Sequence, residues 1–190
     1  MKRIILDEKE FEKQDYSTTE LVGDEFSCCT FSNCNFSSGS LSNKEFIDCV
    51  FDNCNLSNIR LKNTDLKNVR FINCKLIGID FGSCSKFLFS VNFSKCQLNY
   101  SSFVNMDIKR TIFSECIIKE ANFAESNLTE VAFLNCDLLR TIFEMTDLTR
   151  SNFSTAYNYS IDPTVNIVRK AKFSYPSVLG LLDKFNVEIT

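Results

Sequence analysis

The chain has 190 residues, a formal net charge of −3, 19 Phe, 10 Cys, and neither Trp nor His. The absence of His removes the commonest general base and the commonest metal ligand, so we expect neither an enzyme nor a metal or cofactor site. No apolar run reaches 18 residues and the start, MKRIILDEKE, is too polar for a signal peptide, so we expect a cytoplasmic protein that binds neither membrane nor nucleic acid directly.

A large apolar residue stands at every fifth position over most of the chain. The series runs from Phe11 to Phe81, resumes at Phe93 and continues to Phe153. Neither an α-helix nor a β-strand has a period of five, whereas a chain that turns a corner every five residues does.

A second period of 20 residues defines the shape. Allowing two extra residues between Phe81 and Phe93, one set of central residues is all Phe: Phe11, Phe31, Phe51, Phe71, Phe93, Phe113, Phe133 and Phe153. Like residues therefore stack in successive coils of four five-residue sides. This predicts an all-β fold, a right-handed quadrilateral β-helix, with residues 1–160 forming about seven coils and a rod on the order of 35 Å long.

The two extra residues predict an outward bulge near 82–87, in the segment GSCSKFLF. Lys86, Phe87 and Phe89 are its candidate contact residues. One of the two Phe side chains must leave the core register, and an exposed Phe on a bulge suits a partner contact. The sequence leaves open which of the two it is.

The cysteines are predicted to be packing residues. No C-x-x-C pair exists, and eight of the ten Cys stand two residues before a central apolar residue, where a small side chain must face inward. Cys28 and Cys84 do not fit that position.

Residues 161–190 are predicted to form a C-terminal cap. Val165–Phe173 is expected to form a last strand-like side, and Ser174 and Pro176 indicate a helix start. A stripe at helical spacing follows, formed by Val178, Leu181, Leu182 and Phe185. It either covers the last coil or forms the interface of a homodimer, and we favour the dimer because the stripe exceeds what covering requires.

The repeat units Ala121-Asn122-Phe123 and Thr146-Asp147-Leu148 resemble the pentapeptide-repeat family over residues 9–158. The tail IDPTVNIVRKAKFSYPSVLGLLDKFNVEI is similar to the C-terminal segment of the branch that contains the microcin immunity, Qnr and mycobacterial quinolone-resistance proteins. That resemblance implies a C-terminal dimer that imitates duplex DNA, binds DNA gyrase or topoisomerase IV, and protects it from a toxin or inhibitor. The chain departs from the Qnr pattern in having one two-residue insertion in place of larger loops.

A run of acidic residues suits such mimicry, because carboxylates on a rod can take the place of phosphates. Four glutamates fall every five residues, one near each corner of a single coil, and three more acids follow. The predicted acidic belt is Glu115, Glu120, Glu125, Glu130, Asp137, Glu144 and Asp147. The alternative is an ordinary solvated surface, which is also our interpretation of the basic residues at 60–75 because they spread around the coil.

Two further functions were weighed. A structural rod that binds an unrelated protein partner is the main alternative. A β-helical hydrolase is disfavoured, because a small square solenoid filled with Phe leaves no cavity for a substrate.

Overall fold

The computed structural model describes residues 3–188. Its strands are short, and they alternate with corners along the chain. They are β1 (Ile5–Asp7), β2 (Glu10–Glu12), β3 (Glu25–Ser27), β4 (Thr30–Ser32), β5 (Glu45–Ile47), β6 (Val50–Asp52), β7 (Asp65–Lys67), β8 (Val69–Ile72), β9 (Val91–Ser94), β10 (Ile112–Ser114) and β11 (Ala132–Leu134).

The strands form two parallel sheets whose neighbours lie one coil apart. One sheet has the order β1-β3-β5-β7 and the other β11-β10-β9-β8-β6-β4-β2. Phe11 pairs with Phe31, 20 residues later. The remaining sides are joined by single parallel bridges at the same spacing, such as Asn35 with Asn55. The predicted quadrilateral β-helix is confirmed.

We number the four sides by their central residues. Side 1 carries the Phe column from Phe11, side 2 continues from Tyr16, side 3 from Leu21, and side 4 from Leu6 and Phe26. The side 1 rings stack on one another, with ring centroids 5.0 Å apart and planes 9° apart for Phe113 and Phe133. This column and the aliphatic residues of the other sides fill the interior at the close packing expected of a protein core.

A second Phe column changes side halfway along the rod. Phe26 and Phe46 occupy side 4 in the first half, whereas side 3 carries Phe from Phe81 onward. Phe103 meets Phe113 edge to face at 6.0 Å and 89°, a favourable aromatic geometry. The change of side coincides with the two-residue insertion.

The insertion lies between Ser85 and Val91, whereas the sequence places it near 82–87. Ser85 still bonds to Thr64 at the ordinary spacing, but Val69 pairs with Val91, 22 residues later. Side 4 of this coil, residues 84–90, is therefore seven residues long. A 3₁₀ helix at Phe81–Ser83 precedes it.

The coil register continues past the predicted boundary at residue 160. Asp147 bridges to Ile167 and Asn152 to Lys172, so one more partial coil is present, ending at Phe173. Phe173 stacks on Phe153 with ring centroids 5.3 Å apart. Pro163 interrupts side 3 of this coil, which is why the repeat is hard to see in the sequence.

The C-terminal segment is not an α-helix. It forms two 3₁₀ helices, Ser177–Leu181 and Asp183–Phe185, held by three-residue bonds such as Leu182 N–H to the Leu179 carbonyl at 2.8 Å. A segment this short has little α-helical stability of its own, so contact with the last coil determines its conformation. No helix within residues 3–188 is long and apolar enough to cross a membrane.

Replacing Phe71 by Ala should lower the free energy of unfolding by about 3–5 kcal/mol, because the buried ring leaves a cavity. Phe87→Ala is the matched control: Phe87 is largely exposed, so its loss should cost about 0.5 kcal/mol or less. Urea denaturation followed by circular dichroism measures both. Equal effects of the two substitutions would contradict the stacked core.

Candidate functional site

Each corner of the coil requires a residue with a left-handed backbone. These residues stand two positions after the central residue, and their φ values lie near +55°. Asn tolerates this conformation best after Gly. Corner residues in the first half are mostly Asn: Asn33, Asn43, Asn53, Asn58, Asn63, Asn68 and Asn73.

The corners of one later coil carry glutamate instead. Glu115, Glu120, Glu125 and Glu130 all adopt positive φ, between 54° and 61°. They stand at four different corners, so they encircle the rod and do not line one side. A side chain with a longer stem and no local backbone bond gains nothing from this conformation, so corner stability does not explain the choice of Glu.

Some of the predicted acidic belt is neutralised by neighbours one coil away. Glu130 lies between Arg110, at 2.9 Å, and Arg150, at 3.3 Å. Hydrogen bonds from these two arginines hold the pKa of Glu130 below its ordinary value. Glu120 lies 3.8 Å from Arg140. The signal that identifies these partners in the sequence is a basic residue 20 positions away.

The remaining belt residues divide into structural and exposed ones. Asp137 is buried and pairs with Lys119 at 3.0 Å; burial opposes its charged form, but bonds from Asn158 and Lys119 keep its pKa below the usual range. Asp147 accepts the Thr149 N–H at 2.9 Å. Three belt residues are exposed and have no ion pair among residues 3–188: Glu115, Glu125 and Glu144.

The insertion presents an apolar tip to solvent. Phe87 is 69% exposed and Leu88 64%, whereas Phe89 packs against the core, with its ring 6.5 Å from that of Phe81. Lys86 donates to the Asn105 carbonyl at 2.7 Å. Lys67 Nζ lies 5.5 Å from the Phe87 ring centroid. Leu88 was missed in the sequence because only the two Phe residues were considered.

The C-terminal cap splits the predicted dimer stripe. Leu181 packs against the core and Val178 is partly buried, whereas Leu182 and Phe185 are exposed. A Cβ at Gly180 would lie 2.1 Å from the Tyr159 carbonyl oxygen, so only glycine allows the segment to sit this close.

Further apolar side chains are exposed near this end of the rod. They are Leu139, Ile142, Met145, Tyr157, Val165, Ile167, Tyr175 and Val187. Their concentration at one end, together with Leu182 and Phe185, is typical of a surface that contacts another protein.

Cysteine side chains form an internal column along side 2. Cys54 donates through Sγ to the Phe31 carbonyl one coil earlier at 3.3 Å, and Cys74 does the same to Phe51. Cys84 is also buried, contrary to the sequence interpretation, because the insertion begins after it and leaves it in register with Thr64. Cys28 is exposed, and all ten thiols are free. Among residues 3–188, no cluster of Cys, Asp or Glu is arranged to hold a metal ion.

Comparison with protein-family models identifies a pentapeptide repeat region at residues 24–87 and again at 85–157. The chain belongs to the pentapeptide-repeat family, as the repeat units indicated. Comparison with curated protein sequences finds no match.

Two solved structures share the fold. QnrB1, a plasmid-mediated fluoroquinolone resistance protein, matches with a TM-score of 0.55 and 17% identity, covering 96% of this chain and all of QnrB1. HetL, a pentapeptide-repeat protein involved in heterocyst differentiation regulation in the cyanobacterium Nostoc sp. strain PCC 7120, matches with a TM-score of 0.67 and 16% identity, covering 90% of this chain and 87% of HetL.

Only Cys28 should react with iodoacetamide at pH 8 in the folded protein. Burial raises the pKa of Cys49 to about 12, so such thiols are neither ionised nor accessible. Mass spectrometry should show one labelled cysteine, none in a Cys28→Ser variant, and all ten in wild-type protein in guanidinium chloride. Comparable labelling of Cys74 in the folded protein would contradict the packing role.

Proposed function

We propose that this protein is a non-catalytic binding rod that takes the place of duplex DNA on a type II topoisomerase, DNA gyrase or topoisomerase IV, and protects the enzyme from a toxin or inhibitor. The supporting observation is the coil whose four corners carry glutamate. These carboxylates are held on a rigid backbone, in positions where the rest of the rod favours Asn.

Backbone strain at these corners supports a functional surface. A left-handed conformation costs a non-Gly residue about 1–2 kcal/mol, and Asn reduces that cost through local hydrogen bonds. Four consecutive glutamates forgo this benefit. Residues that are kept against local stability commonly serve binding.

The ion pairs of the belt do not prevent such binding. Exposed pairs such as Glu120 with Arg140 contribute about 0–1 kcal/mol, so basic residues of a DNA-binding groove can compete for the carboxylates. Glu115, Glu125 and Glu144 need no exchange of partner. Charge attraction of this kind raises the association rate and makes affinity depend on salt.

A C-terminal homodimer completes the proposal. Leu182 and Phe185 provide the exposed apolar contacts, while Val178 and Leu181 position the segment on the last coil. A two-fold dimer through this end doubles the length of the rod, to on the order of 80 Å at about 4.8 Å a coil. A two-fold topoisomerase saddle could then be contacted on both halves.

A second function is an interaction rod with an unrelated protein partner. The observation in its favour is that Glu120, Glu130 and Asp137 all pair with basic residues, which weakens the acidic field of the belt. HetL, which is involved in a regulatory process, shares the fold at a higher TM-score than QnrB1.

The test is a variant in which Glu115, Glu120, Glu125 and Glu130 are all changed to Asn. This removes four charges while placing the preferred residue at each corner, so the protein should be at least as stable as wild type. We expect inhibition of gyrase supercoiling, and binding to gyrase, to weaken by about tenfold or more, with a smaller dependence on salt.

The matched control is Glu8→Asn with Asp48→Asn, two acidic corners outside the belt. It should leave inhibition unchanged. A second variant, Leu182→Asp with Phe185→Asp, should be a folded monomer by analytical ultracentrifugation and inhibit weakly. Undiminished inhibition by the four-Asn variant argues against mimicry, and undiminished inhibition by the monomer argues against the two-halves contact. Failure of wild-type protein to bind gyrase would favour the second function.

A further inference from the structure

Side 4 of the rod has a regular layout about its midpoint. Its rows before the insertion are β1, β3, β5 and β7, which pair in register. Its rows after the insertion follow the bridges from Asp107 through Asn127 and Asp147 to Ile167. Residues 84–90 form the row between them. Four rows therefore lie on each side of the insertion row.

The outward residues of side 4 change sign along the rod. Acidic residues predominate before the insertion: Asp7, Glu8, Glu25, Glu45, Asp48 and Asp65. Basic residues predominate after it, with Lys86 in the insertion row: Lys109, Arg110, Arg150, Arg169 and Lys170. One side of the rod is thus negative in its first half and positive in its second, a pattern that composition alone does not show.

Ion pairs within the chain cancel part of this polarity near the middle but not at the ends. Lys67 pairs with Glu45, and Lys109 lies 3.1 Å from Asp107. In the first row, Asp7 and Glu8 are exposed, and in the last row so are Arg169 and Lys170. None of these four has an ion pair with another residue in 3–188.

The exposed apolar residues of side 4 follow the same layout. Ile5 in the first row is 57% exposed and Ile167 in the last row 55%. Phe87 and Leu88 stand in the central row. An apolar centre flanked by charged rows is typical of a protein interface.

We propose that side 4 is a self-association surface on which a second copy of this chain packs antiparallel. A two-fold axis through the insertion row places the first row of one copy against the last row of the other. Asp7 and Glu8 then face Arg169 and Lys170, which occupy the same two positions of the five-residue side. Ile5 faces Ile167, and the Phe87–Leu88 tip of one copy contacts the tip of the other.

Only an antiparallel second copy satisfies all of these features together. In a parallel arrangement, like-charged rows face each other and repel. An acidic partner would use the basic half alone and leave the acidic half and Ile5 without a role. The surface is separate from Leu182 and Phe185, so this association goes beyond the proposed C-terminal dimer and has its own test.

The test uses the full chain carrying Leu182→Asp and Phe185→Asp, which removes the proposed C-terminal contact. Sedimentation equilibrium at low salt should still show dimers, with a Kd on the order of 10–100 µM and weaker association at high salt. Adding Phe87→Asp and Leu88→Asp should abolish the dimer. Glu10→Lys with Glu12→Lys on neighbouring β2 is the control for net charge, and it should leave the dimer intact.

Two charge reversals test the antiparallel register in the same background. Asp7→Lys with Glu8→Lys makes both end rows positive, and Arg169→Glu with Lys170→Glu makes both negative. Each variant alone should be monomeric, whereas an equimolar mixture should form heterodimers because every end contact becomes complementary. A monomeric parent protein, or a mixture that stays monomeric while the parent dimerises, would overturn the proposal. So would dimers that persist in either reversal alone.

Discussion

Hydrogen bonds between successive coils are the constraint on which the whole structure depends. A corner amide donates to a carbonyl one coil ahead, as Asn53 does to Ile72 at 3.0 Å, and the strand amides bond in the same direction. These bonds form only if each coil repeats the length and corner conformation of the last. The chain therefore needs a left-handed residue every five positions and a small residue beneath each central one. Composition, core and surface layout all follow from this repetition.

Function on such a rod is confined to the outer positions. The interior is filled by Phe and aliphatic side chains, and the buried thiols bond to backbone carbonyls, so neither offers a binding surface. Each outward position is fixed relative to those above and below it. Charged residues 20 positions apart therefore become neighbours, as Arg110, Glu130 and Arg150 do. A surface of this kind displays charge in a fixed pattern, which suits recognition of another macromolecule.

The five-residue period was sufficient to predict the fold, because each central residue has one role and Phe113 or Phe133 can be placed without a structure. The end of the rod was harder to predict. Pro163 occupies a central position and hides the coil that ends at Phe173, and the stripe from Val178 to Phe185 mimics an α-helix although contact with Tyr159 imposes tighter turns. At the candidate site, the sequence located Glu130 but not its arginine partners, because pairing between coils requires the three-dimensional register.

The central claim is that the rod is one cooperative structure across the insertion, so that surfaces on both halves keep a fixed relation. Native-state hydrogen exchange at increasing denaturant tests this most directly. The account predicts that amides of the middle coils, from Phe51 through Phe133, converge on a single opening free energy with one denaturant dependence, while those near both ends exchange faster. Two separate opening events, one for residues before 84 and one for residues after 90, would contradict it.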